Sequence, residues 1–456
     1  MRRYLLFISA GLSLLMYAID STVVSVAFPT FTKEFGANIL LAGWTLSIYL
    51  VAITSVMPLA GKLSEGFGRK RVFLISLFLF SASSLACGLA PNIESLIVFR
   101  FFQGIGGASF LPTSAGIVSD LFPDHRERFI GLFSSIFPIG GIIGPSLGGW
   151  IVSQYSWRYI FYINLPIGFL LIGSILLLLK ESKASSRFTI DFVGASLFFG
   201  AVLSLMLGLS LIADKLSVPF LFLAAVLWSA CFVLIILFLR HEEKTSDPIL
   251  DMALLRMRPF LAANLFNIFL GAGVFGIWNF IPYYATSVLK WSTLASGMIM
   301  TPPSVGNILA ALVISFLLKQ WGYRKPMILG LITLSVTIIL LDRGLHPWRW
   351  IGIDFGVAEE TIFVVMLMGV GMGITFPASN NACIELKPER VATITGLRGT
   401  CRSVGGALGV SIVTVILHLS PNPTTGFRIA FIGLGLGLIL SMPLVFMMPA
   451  GKRASR

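Results

Sequence analysis

Charge is what this sequence has least of. Only 12% of its 456 residues are Asp, Glu, Lys or Arg, while 56% are hydrophobic. Soluble domains carry about 25% charged residues and a smaller apolar share. A chain this long with so little polar surface is excluded as a water-soluble globule. Cysteine and histidine are scarce as well, at four each. Cys87, Cys231, Cys383 and Cys401 fall inside apolar runs without paired spacing. A free cysteine there acts as a small hydrophobe, so no disulfide framework or redox role is assigned. His125, His241, His346 and His418 are scattered over loops and the ends of apolar runs, which leaves no metal site and no cofactor to expect. Also missing are the alternating segments of about ten residues that mark a membrane β-barrel.

What is present is a series of long apolar blocks. Crossing a hydrocarbon core of about 30 Å takes roughly 20 mainly apolar residues. Breaks at charges, Pro and Gly define fourteen windows of that kind: 5–29, 38–60, 72–90, 94–118, 129–152, 159–179, 191–213, 218–239, 261–288, 294–318, 326–342, 361–383, 393–418 and 427–449. The expected fold is therefore all-α and transmembrane. Met1-Arg2-Arg3 and the apolar run behind it imitate a signal peptide. Thirteen more spans follow and the run carries Asp20, so it is read as an uncleaved first span.

A net charge of +13 invites a nucleic-acid partner, but the placement of the charges argues otherwise. With the N-terminus inside, 23 of the 33 Lys and Arg lie in inside segments and seven in outside ones, counting Arg428 at the outer edge of the last window. The remaining three, Arg100, Arg398 and Arg402, sit within spans. This asymmetry is the positive-inside rule. Basicity sets the topology: a multi-pass protein of the cell (inner) membrane with both termini cytoplasmic and no nucleic-acid partner.

Motifs repeat along the chain. Gly68-Arg69-Lys70 follows the second window and Gly322-Tyr323-Arg324-Lys325 the tenth, 254 residues apart. Gly140-Gly141-x-x-Gly144 and Gly405-Gly406-x-x-Gly409 are 265 apart, and the first and ninth windows begin 256 apart. Similar offsets indicate two related halves of six spans. The expected domains are a six-helix bundle over 1–180, a linker with two inserted spans over 181–258, and a second six-helix bundle over 259–456. Within the linker, Ile249, Met252 and Leu255 are spaced either for an amphipathic helix on the inner interface or for an ordinary tether.

Of twenty acidic residues, nineteen lie in loops or at span ends and only Asp20 is deep in an apolar helix. At about 1.5 Å per residue it lies roughly 13 Å from the outer end of its span, with Arg100 about 8 Å from that end. An arginine inside a span costs about 2.5–3.5 kcal/mol on insertion scales. Arg100 either faces a polar interior within reach of Asp20 or snorkels to the outer surface. Desolvation favours a protonated carboxyl and a nearby guanidinium an ionised one, so a change in either moves a proton. Asp20 is thus a candidate coupling site, with a satisfied polar residue between helices as the alternative.

Several stretches carry a family resemblance. Gly61 to Arg71, with Glu65, Gly68 and Arg69, joins two spans by a glycine-permitted turn in a basic cluster. It resembles the loop motif of the major facilitator superfamily, with Glu65 where the family has Asp and Gly66 where it has Arg. Arg100-x-x-Gln103-Gly104-x-Gly106-Gly107-Ala108 resembles the family's second motif. Gly140, Gly144 and Gly148, beside Gly141, Pro145 and Gly149, suit close helix packing and a weakened helix at Pro145. The run resembles the motif of the antiporter branch. Ile19 to Pro29, Trp157 to Pro166, and Arg402 to Gly409 are similar to signatures of the fourteen-span drug:proton antiporters. Arg402 is accordingly a candidate for a second-half cavity.

The resemblance implies two six-helix bundles around a central cavity plus two inserted helices. It implies a monomer in the lipid bilayer that exports small lipophilic or cationic molecules in exchange for protons. A lipid or glycolipid exporter and a solute importer of the same fold stay open. A membrane enzyme would need convergent acids or histidines, which the scattered histidines do not supply. A structural or sensory protein is the remaining alternative for a chain with one deep acid.

Overall fold

The computed structural model describes residues 2–125, 129, 132–133, 136–181, 191–214, 218–245, 256–343, 349–350, 353–354, 356–386 and 391–451. Ile249, Met252 and Leu255 lie outside these residues. Apart from a two-residue antiparallel ladder, Arg349–Trp350 against Ile353–Asp354, the regular structure is helical. Hydrocarbon offers the backbone no hydrogen-bond partner, so each segment has to satisfy its own N–H and C=O groups. Eleven helical stretches among the described residues are long and apolar enough to cross a membrane. The windows 94–118, 129–152 and 326–342 also hold helices, which fall outside that count: Ile93–Gly107 with Phe110–Leu121, Ile136–Gln154, and Arg324–Leu340.

The chain divides into two compact units, Met1–Gly208 with Phe222–Ile249, and Leu209–Leu221 with Leu250–Arg456. The first contains α1 (Arg2–Glu34), α2 (Ile39–Gly66), α3 (Arg69–Gly88), α4 (Ile93–Gly107), α5 (Phe110–Leu121), α6 (Ile136–Gln154), α7 (Tyr159–Tyr162) and α8 (Asn164–Leu178). Asparagine starts two of these helices. The Asn38 side chain accepts from Leu41 N at 2.7 Å, and Asn92 forms a capping box with Ser95, each satisfying an end N–H group. The core collects Leu14, Tyr49, Phe73, Leu77, Phe80 and Phe110. Ile75, Phe78, Phe169 and Leu177 point outward, as lipid-facing side chains do. Helices α9 (Phe192–Asp214) and α10 (Val218–Lys244) fill the windows of the inserted pair. A 2.7 Å hydrogen bond between His241 Nε2 and Asp191 Oδ1 joins their ends.

The second unit contains α11 (Arg258–Trp278), α12 (Ile281–Ser287), α13 (Thr293–Met298), α14 (Thr301–Trp321), α15 (Arg324–Leu340), α16 (Val357–Ile384), α17 (Val391–Leu419), α18 (Pro423–Leu440) and α19 (Met442–Met447). Phe266, Leu270, Met327, Leu331, Met368 and Phe431 are buried in it.

The repeat seen in the sequence has a structural counterpart in each unit. Gly68 (φ 99°) opens α3 and Gly322 (φ 68°) closes α14 in front of α15; only glycine takes such angles without strain. Each of these turns is tied to a late helix of its own unit. Lys70 Nζ donates to Leu176 O at 2.8 Å. Arg324 Nη2 donates to Met448 O, also at 2.8 Å.

Candidate functional site

Asp20 has no exposed surface, and three side-chain donors from two other helices meet its carboxylate. Arg100 Nη1 donates to Oδ2 at 2.8 Å. Gln103 Nε2 and Asn164 Nδ2 donate to Oδ1 at 2.8 and 2.9 Å. Arg100 and Gln103 stand three residues apart on α4 and so share a face; Asn164 is the first residue of α8. Ser84 of α3 closes the ring. Its hydroxyl accepts from Gln103 Nε2 at 3.1 Å and Asn164 Nδ2 at 2.9 Å, and donates to Phe161 O at 2.9 Å. Gln103 Oε1 accepts from Arg100 Nη1 at 2.7 Å.

Helix α2 holds the other side of the guanidinium. Arg100 Nε donates to Thr45 O at 3.3 Å, and Arg100 Cζ lies 3.7 Å from the centroid of the Tyr49 ring, a cation–π contact. Arg100 is 1% exposed, so it turns inward to Asp20 rather than out to the surface. Charges in such a low-dielectric setting are costly unless paired and hydrogen-bonded, and this pair is both. A proton on Oδ2 would turn the ion pair into a cation facing a neutral acid. A proton arriving at α1 would thereby be felt by α4 through Arg100.

The glycines of α6 face α1 on either side of Asp20. A Cβ at Gly140 would meet Ala18, one at Gly144 would meet Thr22 and lie 3.1 Å from Ile19 O, and one at Gly148 would lie 2.6 Å from Val23 Cγ2. Gly141 has nothing within 4 Å of such an atom. Pro145 and Gly149 are buried in the same helix. The stripe therefore brings two backbones together along the turn that carries the acid. Beyond α6, Trp157 Nε1 donates to Glu34 Oε2 at 2.7 Å and Arg158 lies 3.3 Å from Glu34 Oε1. These contacts fix the end of α1 against the segment that leads to Asn164.

The loop motif is arranged around acids that the sequence did not point to. Arg69 Nε lies 3.2 Å from Asp120 Oδ2, on α5. Glu181 Oε1 accepts from Lys70 N at 3.2 Å, and Glu181 Oε2 lies 3.5 Å from Arg71 Nε. Its carboxylate thus sits at the positive end of α3. Gly61 lies in α2, where an added Cβ would make ordinary contact with Pro112 at 3.6 Å. The side chain of Glu65 is outside the described residues.

In the second unit, α17 carries Arg398 and Arg402 one turn apart. Arg398 Nη1 donates to Asn380 Oδ1 at 3.1 Å and Nη2 to Phe376 O at 3.2 Å. Arg402 Cζ lies 5.1 Å from the Phe376 ring and 5.7 Å from that of Phe275. Arg402 belongs to the second unit, and Asp20 and Arg100 to the first.

The structure adds residues to those picked from sequence. Gln103 and Asn164 were legible as amides in apolar helices, inside motifs already singled out. Thr45 acts through its carbonyl and Ser84 is one hydroxyl among many, so neither had a signal. Three further acids, Asp191, Glu242 and Glu360, are 2–7% exposed although they stand at helix ends. No group of His, Cys, Asp and Glu among the described residues is arranged to hold a metal ion.

The chain is similar in sequence to proteins named as transporters. The sequence model of the Major Facilitator Superfamily matches residues 10–192, 187–410 and 265–454. The Multidrug transporter protein MdtP of Bacillus subtilis (strain 168) is 30% identical over 424 residues, covering 91% of this chain and 76% of the relative. A Multidrug resistance protein B homolog of Mycobacterium tuberculosis (strain ATCC 25618 / H37Rv) is 32% identical over 428 residues, covering 90% and 75%. Among solved structures, a POT family transporter in complex with 5-aminolevulinic acid superposes with a TM-score of 0.72 at 16% identity, over 97% of this chain and 95% of that one. At that identity the likeness concerns the fold alone.

Proposed function

The chain belongs to the Major Facilitator Superfamily, and on that premise we propose that it exports lipophilic small molecules in exchange for protons, as a fourteen-span drug:proton antiporter. The names of its relatives support the cargo class. The observation that carries the coupling is the Asp20 network: one buried carboxylate bound at once by Arg100, Gln103 and Asn164. In this conformation the carboxylate is sealed from solvent. Alternating access opens it to the outside, where a proton on Oδ2 dissolves the Arg100 pair. The cycle then presents it to the inside, where loss of the proton restores the pair. Each transfer changes how α1 is held to α4 and α8, which is how a proton gradient performs work on the helices. The protein acts as a monomer in the cell inner membrane with both ends cytoplasmic.

The experiment compares purified wild type and Asp20→Asn in vesicles with an imposed pH gradient and a panel of lipophilic dyes. Asparagine keeps the shape and cannot titrate. The variant is expected to lose concentrative export while still exchanging dye downhill. Concentration of dye against its gradient by the variant would place the proton site elsewhere. Span number is checked by single cysteines in a cysteine-free background: Lys33→Cys and Lys215→Cys react with an impermeant reagent from outside, and Lys183→Cys does not.

A further inference from the structure

We propose that Arg398, with Arg402 one turn further along α17, receives an acidic group on the exported molecule, so that the cargo is a lipophilic organic anion. This rests on the export reading and specifies the charge of what is exported.

Arg398 is 6% exposed and lies in a helix read as membrane-spanning. A guanidinium carries five N–H donors. Two of the three nitrogens of Arg398 are engaged, both by neutral acceptors, the Asn380 amide and the Phe376 carbonyl. Nε is buried without an acceptor. Among the described residues no carboxylate pairs with Arg398, and the neighbouring guanidinium of Arg402 repels it. The first unit shows how this chain otherwise accommodates a buried arginine: Arg100 is neutralised by Asp20 at 2.8 Å. Tying α17 to the Phe376 carbonyl and the Asn380 amide needs a donor but no charge. Among the described residues, then, nothing balances the charge of Arg398, and an anion from outside the chain complements it.

The class of that anion follows from the neighbouring side chains. The Phe376 and Phe275 rings flank Arg402 and suit an apolar, aromatic body. A planar guanidinium with a free Nε edge suits a carboxylate or sulfonate, whose two oxygens match its fork. A cationic cargo would meet two repelling arginines here, and Asp20 in the first unit is already bound by three donors.

The test uses two probes of one shape, 4-(1-pyrenyl)butanoate and 4-(1-pyrenyl)butylammonium. Binding to the full-length protein in lipid nanodiscs is read by energy transfer from tryptophan to pyrene, with empty nanodiscs subtracted. Wild type is expected to bind the butanoate at least tenfold more tightly than the butylammonium. Arg398→Gln removes that preference, weakening the butanoate and strengthening the butylammonium, while leaving the melting temperature unchanged. Arg398→Lys keeps the charge without the fork and retains a reduced preference, which a merely structural role would not predict. If Arg398→Gln fails to fold, the wild-type preference and the lysine variant decide the matter. Equal or reversed affinities in wild type, no binding of either probe, or an anion preference that survives Arg398→Gln overturns the proposal. The export reading stands independently as long as wild-type vesicles concentrate a neutral dye under a pH gradient.

Discussion

In the first unit the buried arginine, Arg100, meets a carboxylate at 2.8 Å, whereas in the second Arg398 meets an amide and a peptide carbonyl. Around this difference the helix pairing is the same. Gly140, Gly144 and Gly148 press α6 onto α1. Gly405 and Gly409 press α17 onto α11, where an added Cβ would run into the carbonyls of Ile268 and Ala272. Gly271 and Gly276 return the approach from α11 towards Arg402 and Gly409. The lesson is a division of roles: small residues bring two helices together in both units, while the charged residues those helices carry differ. On the reading proposed above, one copy carries the proton and the other the cargo.

The strongest way to break this comparison is to remove each arginine in turn. Arg100→Ala leaves the Asp20 charge buried without its partner and should cost about 3–5 kcal/mol. Thermal unfolding of the purified protein in detergent is expected to show a large drop. Adding Asp20→Asn to that variant should restore much of the loss, because no charge then remains unpaired. Arg398→Gln leaves no orphaned partner charge, and its stability should stay within about 1 kcal/mol of wild type. Comparable losses at Arg100 and Arg398 would mean that the two units do not differ in this respect.

A smaller effect sharpens the shared part. Overpacking a tight contact costs about 1–3 kcal/mol, and the cost depends on whether the neighbour can yield. The nearest atom to a Cβ at Gly144 is the Thr22 hydroxyl, at the end of a side chain, while at Gly405 it is the Ile268 carbonyl of the backbone. Gly405→Ala is therefore expected to destabilise more than Gly144→Ala in the same unfolding experiment. Equal costs would show that α1 and α11 adjust equally well.

The smallest expected effect on stability lies at the turns. Arg69 and Asp120 form a partly exposed pair, worth at most about 1 kcal/mol. Arg69→Gln should barely move the melting temperature but slow dye export, since its contact ties α3 to α5. Arg324→Gln gives up two hydrogen bonds to Met448 O, at 3.0 and 2.8 Å, and should behave alike in the second unit. A normal export rate in both variants would show that these turns are structural only.

Much of this was legible before any coordinates. Each window holds helix, and eleven helical stretches among the described residues are long and apolar enough to cross a membrane, because long apolar blocks in lipid have few other ways to satisfy their backbones. Asp20 stood out as the one acid deep in such a block, and the glycine spacing foretold a close helix contact. The partners around Asp20 were harder to see. Arg100 was placed within reach along the helix axis, but its direction around α4 was undecided. Ser84 and Thr45 gave no sign at all, since a hydroxyl or a carbonyl acquires meaning only from what faces it. The acid that meets Arg69 was equally hidden, because Asp120 lies 51 residues further along the chain.

Composition and block length by themselves determined that this chain is helical and membrane-embedded, because those properties follow from the solvent and from distances along one helix. Pairing was decided only in three dimensions. Asp20 binds residues 80, 83 and 144 positions away, and Arg398 meets no acid among the described residues. Such outcomes depend on how helices rotate against one another, which is set by glycine contacts such as Gly144 on Ile19 and Gly405 on Ile268. A sequence records that two helices can approach closely; only the packed structure determines which side chains then face each other.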